Sequence, residues 1–509
     1  MIISVGDFLS NESEFQEVIR SSIWLYVGVA IFNVVGFLYW IVVSLFVSPD
    51  LVGTSSAILS LESLIINIFS LGIPIGIRRF IGKFWKKRES QNLSIYLSTS
   101  LSLSIITFIP IFIIFILLSS QNISLMNLNS TELLFTGILI LLDFWPSLLA
   151  SLFISVFKTQ ITTLSNSVSS IVKIISGVIL LQFGYGLMAI LLSIMFASIS
   201  RGMILFTYYL KLSKEFKFNI NLGIQKSLLK DILSAGSASW IPNTLLVAGQ
   251  TIGILLIFGY IGGTETGLYY IAFAISTTLY HIPNSIQSLM FPLLSGMESH
   301  RKEAVKKAIH LSMAIVIPMA IILLFYSWIP FTFLGAQYAG AAEILSILMI
   351  GLMMFPIVSG YSTYVYALGK YTDVIAIDTT STIIRVLLYF LLILPLEGYG
   401  AAVAYIAGIY VAVVPLVLSA RRTSFKFDYS LYVKIIALPL TFTLLIQLSR
   451  ILWFVGLPII TVATFISYTR LGIVTKQDFK QMALAFLSPE SVAKVHMHTK
   501  RIVMFLFGD

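Results

Sequence analysis

The stretch SSIVKIISGVILLQFGYG at residues 169–186 contains the pattern that decides the fold of this chain. It is an almost uninterrupted apolar run that holds one lysine, Lys173, and ends in a Gly-Tyr-Gly motif. Residues 381–400 repeat the pattern as STIIRVLLYFLLILPLEGYG, with Arg385 in place of the lysine. Because about 20 apolar residues are needed to cross the hydrocarbon core of a bilayer, both stretches predict membrane-spanning helices.

The composition of the whole chain supports a membrane protein. Of its 509 residues, 58% are hydrophobic and only 11% are charged, and the mean hydropathy is +0.97. Soluble domains average about 25% charged residues, so this chain requires lipid as its solvent. The net charge of +10 fits a surface rich in anionic lipid, and no nucleic-acid partner is expected. The absence of cysteine excludes disulfides and thiolate metal sites.

Apolar runs of spanning length occur fourteen times, which predicts an all-α polytopic membrane protein. The predicted spans begin near these residues: Ser21, Leu51, Leu93, Glu132, Leu164, Tyr185, Asp231, Thr266, Ala308, Ala342, Thr372, Gly400, Leu431 and Ile451. The last two spans are separated only by a short polar break at 448–450.

Basic residues predict the orientation of these spans. The loops after odd-numbered spans contain only one basic residue, Arg450. Because positive charge is retained on the cytoplasmic side, both termini are expected in the cytoplasm of a cell-membrane protein. The loops after even-numbered spans carry the following lysines and arginines: Arg78, Arg79, Lys83, Lys86, Lys87, Arg88, Lys158, Lys211, Lys214, Lys217, Lys226, Lys230, Arg301, Lys302, Lys306, Lys307, Lys370, Arg421, Arg422 and Lys426.

The two quoted stretches belong to a longer internal repeat with a spacing of six helices. Trp145-Pro146 has a partner in Phe355-Pro356, and Lys158 has a partner in Lys370. The entries to spans two and eight also correspond, at residues 49–53 and 263–267. A shift of six helices preserves direction across the membrane, so these are parallel repeats. Two such halves around a central cavity are a transporter plan that works by alternating access.

The repeat predicts six segments along the chain. Residues 1–20 have an acidic start, unlike a cleavable signal, and are predicted to form a cytoplasmic interfacial helix. Two six-helix lobes at 21–210 and 231–420 are joined by a cytoplasmic linker at 211–230. Two further helices at 421–470 and a cytoplasmic tail at 471–509 complete the chain.

Charged residues inside the predicted spans are the candidate functional residues. A charge at the centre of a membrane helix costs roughly 2.5–3.5 kcal/mol, so a charged residue there is expected to have a functional or structural role. Lys173 lies about 14 Å into span five and Arg385 about 19 Å into span eleven, at about 1.5 Å per residue. Both are therefore expected near the midplane, where cations suit the oxygens of a phosphate group.

Acidic residues in the same spans leave a second interpretation open. Glu62 and Asp143 reach a similar depth in spans two and four, and Asp378 precedes Arg385 by two helical turns. These carboxylates could bind a coupling ion, H⁺ or Na⁺, or could simply neutralise the two cations. Arg201 lies near the cytoplasmic end of span six, where its side chain is expected to reach the interface.

No motif points to an enzyme. The chain has no Walker, HExxH or dinucleotide-binding signature, so neither catalytic residues nor a cofactor or metal site is predicted. The polar linker at 211–230 is too short for an ATP-binding domain. An ion gradient, the membrane potential or the substrate gradient would have to supply the energy.

Two segments resemble a known superfamily of transporters. LGIPIGIRRFIGKFWKKRE at 71–89 and SPDLVG at 48–53 resemble the second span of polysaccharide and oligosaccharide-lipid flippases. These flippases belong to the MATE-like multidrug/oligosaccharidyl-lipid/polysaccharide exporter superfamily, whose plan is similar over essentially the whole chain.

The resemblance implies a flippase for lipid diphosphate-linked oligosaccharides that works without a cofactor. It also implies that Lys173 and Arg385 contact the substrate headgroup while the prenyl tail stays in membrane lipid. A monomer is expected. The product would feed protein glycosylation, a surface polysaccharide or a cell-wall polymer, and the sequence does not distinguish these.

Other functions remain open at this point. An ion-coupled multidrug exporter of the same superfamily would need an acidic cavity for its cationic substrates, and Glu62, Asp143 and Asp378 could supply one. A major-facilitator transporter would carry an acidic residue before the basic pair of its second loop, which Gly76-Ile77-Arg78-Arg79 lacks. A membrane enzyme acting on prenyl-linked sugars would need a larger extramembrane loop or an acidic metal-binding cluster. A scaffold without transport would leave the midplane charges unexplained.

Overall fold

The computed structural model describes Gly28 and residues 35–476, apart from 217, 219, 220, 222 and 297–299. Within these residues every named element is helical. Seventeen α-helices follow one another, with a short 3₁₀ turn at Ala336–Tyr338 between α11 and α12. In chain order they are α1 Val35–Phe46, α2 Pro49–Phe69, α3 Ile73–Lys86, α4 Ser90–Ser120, α5 Ser130–Ser155, α6 Thr159–Gln182, α7 Leu187–Phe216, α8 Lys226–Tyr260, α9 Gly263–Gly296, α10 Arg301–Phe325, α11 Trp328–Leu334, α12 Ala341–Gly351, α13 Phe355–Ala367, α14 Tyr371–Val411, α15 Val413–Thr423, α16 Tyr429–Leu448 and α17 Trp453–Arg470.

These helices confirm the prediction of an all-α polytopic membrane protein. In the described part of the chain, nine helices are long and apolar enough to cross a bilayer. Counting the bent pair α12 and α13 as one span gives ten. The number fourteen is not confirmed and stays a prediction. The predicted interfacial helix at 1–20, the start of span one and the tail beyond residue 476 lie outside the described residues.

The chain divides into two compact units. The first contains Met1–Ile271 and Val386–Ala401, and the second contains Ala272–Arg385 and Ala402–Asp509. Each unit has its own apolar core among the described residues, exemplified by Ile73, Phe153 and Leu205 in the first and by Ile309, Tyr361 and Ile435 in the second. The six-segment division drawn from the repeat stays a prediction.

The two Gly-Tyr-Gly motifs have different backbones. In the first motif, Gly184 and Gly186 have φ values of 81° and 52° and form the turn between α6 and α7. At the second motif the residue with positive φ is Glu397, which directly precedes Gly398; its φ of 52° breaks α14 into two helical segments. Positive φ is unfavourable for residues with a Cβ, so the second turn is the more strained of the two.

The first unit is held together by a crossing at which two helix backbones touch. A Cβ at Gly53 of α2 would collide with the carbonyl oxygen of Gly263, and a Cβ at Gly267 would collide with that of Pro49. The contact is reciprocal, since residues 49 and 53 correspond to residues 263 and 267 in the repeat. Reciprocal contacts are characteristic of two-fold related surfaces. We call these four residues the glycine crossing.

A second close approach joins the other end of α2 to α8. A Cβ at Gly72 would lie 2.8 Å from the Gly236 carbonyl group, and a Cβ at Gly236 would meet the Gly72 carbonyl oxygen in return. Nearby, the Trp240 indole N–H donates to the Asn67 carbonyl oxygen over 2.8 Å. The segment from α2 to the start of α3 is therefore fixed at both of its ends, at the glycine crossing and against α8.

The apolar stripes exposed on two helices match through the repeat. On α6, the exposed side chains Ile171, Ile175 and Ile179 follow one another at four-residue spacing and therefore share a face. The corresponding residues of α14 are exposed in the same way: Ile383, Leu387 and Leu391. In a membrane protein such stripes are solvated by lipid tails, and each helix carries its midspan cation away from this stripe.

The glycine crossing makes a prediction about stability. Gly53→Ala adds one methyl group where the Gly263 carbonyl oxygen already lies, so we expect a loss of about 1–3 kcal/mol through overpacking. Gly36→Ala is the matched control, because no atom of the described residues lies within 4 Å of a Cβ at that position. The control should be neutral or slightly stabilising, since alanine favours helices by up to about 1 kcal/mol. Thermal unfolding of the purified variants measures both, and equal melting temperatures would contradict the close contact.

Candidate functional site

Lys173 lies over an aromatic ring in the first unit. Its Nζ is 4.3 Å from the centre of the Tyr39 ring on α1, a geometry in which the ring face attracts the ammonium group. The Tyr39 hydroxyl forms a 2.7 Å hydrogen bond with Ser193 Oγ of α7. In the described part of the chain no carboxylate lies within ion-pair distance of Lys173. The positive charge is thus stabilised by an aromatic side chain and remains available to an anion.

The Tyr39 ring fits against Lys173 because the next turn of α6 carries a glycine, Gly177, which has no side chain. A Cβ at Gly177 would lie 3.0 Å from Tyr39 Cε2, closer than side chains normally approach. The repeat exchanges these two residues: Tyr39 corresponds to Gly253 and Gly177 corresponds to Tyr389. In the structure a Cβ at Gly253 would lie 2.8 Å from Tyr389 Cζ. Each repeat therefore pairs one tyrosine with one glycine, on opposite helices.

The acidic residues of the first unit pair with each other. Glu62 on α2 and Asp143 on α5 lie close enough to interact electrostatically, and Ser198 of α7 lies beside Asp143. Arg201, one turn after Ser198, interacts electrostatically with Asp143. Its Nε is buried and has no hydrogen-bond partner among the described residues. We call these four residues the carboxyl cluster.

Arg385 is buried in the second unit, with 5% of its surface exposed. Its guanidinium carbon lies 4.1 Å from the centre of the Tyr405 ring, and Nη2 donates to Ser381 Oγ over 3.4 Å. Asp378 interacts with Arg385 electrostatically, although no ion pair joins them among the described residues. The buried Arg385 Nε lacks a hydrogen-bond partner in the same part of the chain. The guanidinium therefore keeps a donor for a further acceptor.

The two midspan cations have comparable surroundings, although each lies in a different unit. Both lie about 4 Å from a tyrosine ring. Neither forms an ion pair with a carboxylate in the described residues. The pairing of Lys173 with Glu62 or Asp143, which the sequence left open, is not found there.

Sequence reasoning missed three contributors to these surroundings. Tyr39 and Tyr405 lie within hydrophobic runs, and nothing in the sequence pattern marks them as partners of a cation. Arg201 was expected to extend to the membrane interface, but it faces Asp143 instead. The spacing of Ser198 and Arg201 is a signal that both side chains lie on the same face of the helix, because residues three apart share a helix face.

A family model and solved structures show what the chain is similar to. The model described as a polysaccharide biosynthesis protein matches residues 18–298, more than half of the chain. A search of curated proteins found no match. The lipid II flippase MurJ, in an inward closed conformation, superposes with a TM-score of 0.73 at 16% identity, over 88% of this chain and 98% of that one.

Two structures of multidrug resistance MATE family transporters of the MOP superfamily are also similar. The inward-facing one gives a TM-score of 0.65 at 15% identity, over 80% of this chain and 98% of that chain. The outward-facing one gives 0.57 at 15% identity, over 79% and 95%. At such identities the likeness shows the fold. Together with the family model over residues 18–298, it confirms the superfamily predicted from residues 48–53 and 71–89.

The contact between Lys173 and Tyr39 makes a prediction that a double-mutant cycle can measure. Tyr39→Leu removes the ring face and the hydroxyl, whereas Tyr39→Phe removes only the hydrogen bond, at a cost of about 1 kcal/mol. We expect Tyr39→Leu to cost about 2 kcal/mol less in a Lys173→Met background than in wild type, because the cation–π attraction is then already absent. Chemical or thermal unfolding in detergent gives the four stabilities. Strict additivity would contradict the attraction.

Proposed function

We propose that this chain, which belongs to the polysaccharide biosynthesis protein family, is a flippase for a lipid diphosphate-linked oligosaccharide. It would move its substrate from the cytoplasmic to the outer leaflet, for glycosylation or the assembly of a surface polysaccharide. The fold supports this proposal, since the flippase MurJ and the MATE transporters have it as well. The neighbours named here are transporters, which favours a transporter over an enzyme.

The observation that carries the proposal is the state of the two midspan cations. Lys173 and Arg385 are each held against a tyrosine ring, with no carboxylate at ion-pair distance among the described residues. A cation inside a membrane protein is costly unless something compensates its charge. A diphosphate offers several charged oxygens, and hydrogen bonds to charged groups are stronger than neutral ones. An anionic headgroup would therefore complete the surroundings of each cation.

The two cations differ in a way that suits a headgroup. The Lys173 ammonium is a compact charge with three donors, while the Arg385 guanidinium is planar and can bind two oxygens at once. The buried, unpartnered Arg385 Nε is one such donor. The prenyl tail would remain in membrane lipid, and the predicted spans thirteen and fourteen, at residues 431–468, would form a groove for it.

The remaining parts of the proposal follow from the repeat and from the charge pattern. Two six-helix lobes, at 21–210 and 231–420, would alternate access to the two sides of the membrane. Both termini would be cytoplasmic, by the distribution of lysine and arginine. The protein would act as a monomer in the cell membrane and would use a coupling ion, H⁺ or Na⁺.

A multidrug exporter is the alternative that the same fold permits. Such a transporter binds organic cations and would need free carboxylates on the path of its substrate. Glu62 and Asp143 instead lie beside each other, and Asp143 also interacts electrostatically with Arg201. Asp378 interacts with Arg385. These pairings leave little negative charge for a cationic drug, so the flippase is favoured.

Leaflet transfer of a fluorescent prenyl-diphosphate oligosaccharide in proteoliposomes tests the proposal. Lys173→Ala and Arg385→Ala should each slow transfer about ten- to a hundredfold. The physical reason is the loss of a charge-assisted hydrogen bond, worth about 1.5–3 kcal/mol. Lys173→Arg should retain much of the rate, because it keeps the charge. Lys370→Ala, at an exposed lysine directly before α14, is the control and should transfer at the wild-type rate.

The outcomes separate the two candidate functions. Transfer unchanged in both alanine variants, with folding intact, would remove the cations from the substrate path. Efflux of organic cations by wild type, without transfer of the lipid-linked saccharide, would favour the multidrug exporter.

A further inference from the structure

The helix of predicted span ten is broken in the second unit, although its counterpart in the repeat is continuous. Helices α12 and α13 meet at a bend of 43°. Between them, the amide groups of residues 352–354 each donate to the carbonyl three residues back, over 3.2 Å. Such a 3₁₀ stretch inside a helix often marks a hinge. In the other repeat, α5 continues through Pro146, the counterpart of Pro356, so the proline alone does not cause the break.

Two tyrosine hydroxyls bind the backbone where span ten breaks. In a regular α-helix the Leu348 carbonyl would accept a hydrogen bond from the amide of Leu352. Here the Tyr280 hydroxyl of α9 donates to that carbonyl oxygen over 3.1 Å, and the Tyr410 hydroxyl donates to the Ile350 carbonyl oxygen over 3.0 Å. A carbonyl without a donor is costly inside a membrane, so these hydroxyls stabilise the break.

The counterparts of these tyrosines in the other repeat cannot form such bonds. The shift that relates residues 49–53 to 263–267 makes Ile66 the counterpart of Tyr280. The shift that relates the two Gly-Tyr-Gly motifs makes Phe196 the counterpart of Tyr410. Neither side chain has a hydroxyl. The break therefore occurs in the repeat whose side chains can replace a lost helical hydrogen bond.

The segment of α14 that carries Tyr410 also covers Arg385. The Tyr405 ring lies over the guanidinium, and a Cβ at Gly408 would lie 3.1 Å from Arg385 Nε. Residues three apart share a helix face, so one face of this segment covers the guanidinium. Arg385 is only 5% exposed, and its Nε lacks a hydrogen-bond partner among the described residues. An anion that binds this Nε therefore needs the cover to move.

Tyr280 connects this cover to the break. Its ring meets the Tyr405 ring at 81°, with centroids 5.9 Å apart, and meets the ring of Phe355, the first residue of α13, with centroids 4.7 Å apart. The fit leaves no spare room, because a Cβ at Gly351 would collide with the Tyr280 hydroxyl oxygen. Movement of the cover would thus displace both hydroxyls from the break.

We propose that Arg385 is a gated anion site, covered while span ten is bent and open when span ten is straight. The site takes the diphosphate of the lipid-linked saccharide, and in this respect the proposal rests on the proposed function. The Leu348 carbonyl has two alternative donors, the Tyr280 hydroxyl in the bent form and the Leu352 amide in the straight form. An anion binds the open form and so shifts the population towards it.

The affinity of the purified full-length protein for inorganic pyrophosphate tests the gate without any transfer. Tyr280→Phe removes a hydroxyl that favours the covered form, so the protein should bind pyrophosphate about threefold to tenfold more tightly. A residue with a merely structural role would not raise the affinity. Calorimetric titration measures the affinity, and Arg385→Ala identifies the part of the signal that belongs to Arg385.

Tyr468→Phe is the matched control for this titration. It also removes a buried hydroxyl that donates to a backbone carbonyl of the second unit, that of Ile435, but one on α16 instead of span ten. Its affinity for pyrophosphate should equal that of wild type. Gly351→Ala is a second test variant, because its methyl group displaces the Tyr280 hydroxyl, and it should also bind more tightly.

A distance measurement reads the bend directly. The chain has no cysteine, so spin labels can be attached through Glu343→Cys and Lys370→Cys, at exposed positions near the two ends of span ten. Loss of the 43° bend should lengthen the distance between the labels by about 2–3 Å, at about 1.5 Å per residue. Pyrophosphate should cause this change in the labelled protein and not when Arg385→Ala is added.

The outcomes separate the gate from the flippase. Equal pyrophosphate affinity in wild type and Tyr280→Phe, a distance that pyrophosphate leaves unchanged, or no binding that depends on Arg385 would each overturn the gate. Leaflet transfer of the fluorescent prenyl-diphosphate oligosaccharide by wild type would then leave the flippase intact. Tighter binding by Tyr280→Phe in a protein that transfers no such lipid would support the gated anion site and overturn the flippase.

Discussion

The direct contact between two helix backbones at the glycine crossing is the constraint on which the first unit depends. Two helices approach so closely there that a methyl group on either side would meet a carbonyl oxygen. In lipid, helices gain nothing from hiding apolar surface from one another, so association relies on close packing and hydrogen bonds. The crossing fixes one end of α2 and the contact with α8 fixes the other. The position of Glu62 opposite Asp143 follows from that placement.

The midspan cations and the midspan acidic residues have different surroundings. Lys173 and Arg385 lie against tyrosine rings, whose faces attract cations without neutralising them. Glu62 and Asp143 lie beside each other, and the positive charge of Arg201 opposes the negative charge of Asp143. Among the described residues, no carboxylate at ion-pair distance neutralises either cation, whereas the acidic residues lie beside each other and near an arginine. This difference favours an anionic cargo for a fold that flippases and drug exporters have in common.

Much of this organisation was visible in the sequence. Hydrophobic runs predicted the helical membrane fold, and the segments at 48–53 and 71–89 predicted the superfamily. Residues 49–53 and 263–267 were recognised as equivalent, but their contact was not, because a repeat shows correspondence and not distance. The partners of Lys173 and Asp143 were missed for a related reason. Tyr39 and Arg201 come from other helices, and one sequence carries no signal for which helix faces meet.

The exchange of tyrosine and glycine between the repeats limits how such a protein could be rearranged by recombination. Tyr39 faces Gly177 in one repeat, and Gly253 faces Tyr389 in the other. A chimera that exchanged only α6 for the corresponding part of α14 would set two large rings against each other in one half and leave a void in the other. A whole half carries both members of its pair. The smallest portion that can be inherited without clashes is therefore the half and not the single helix.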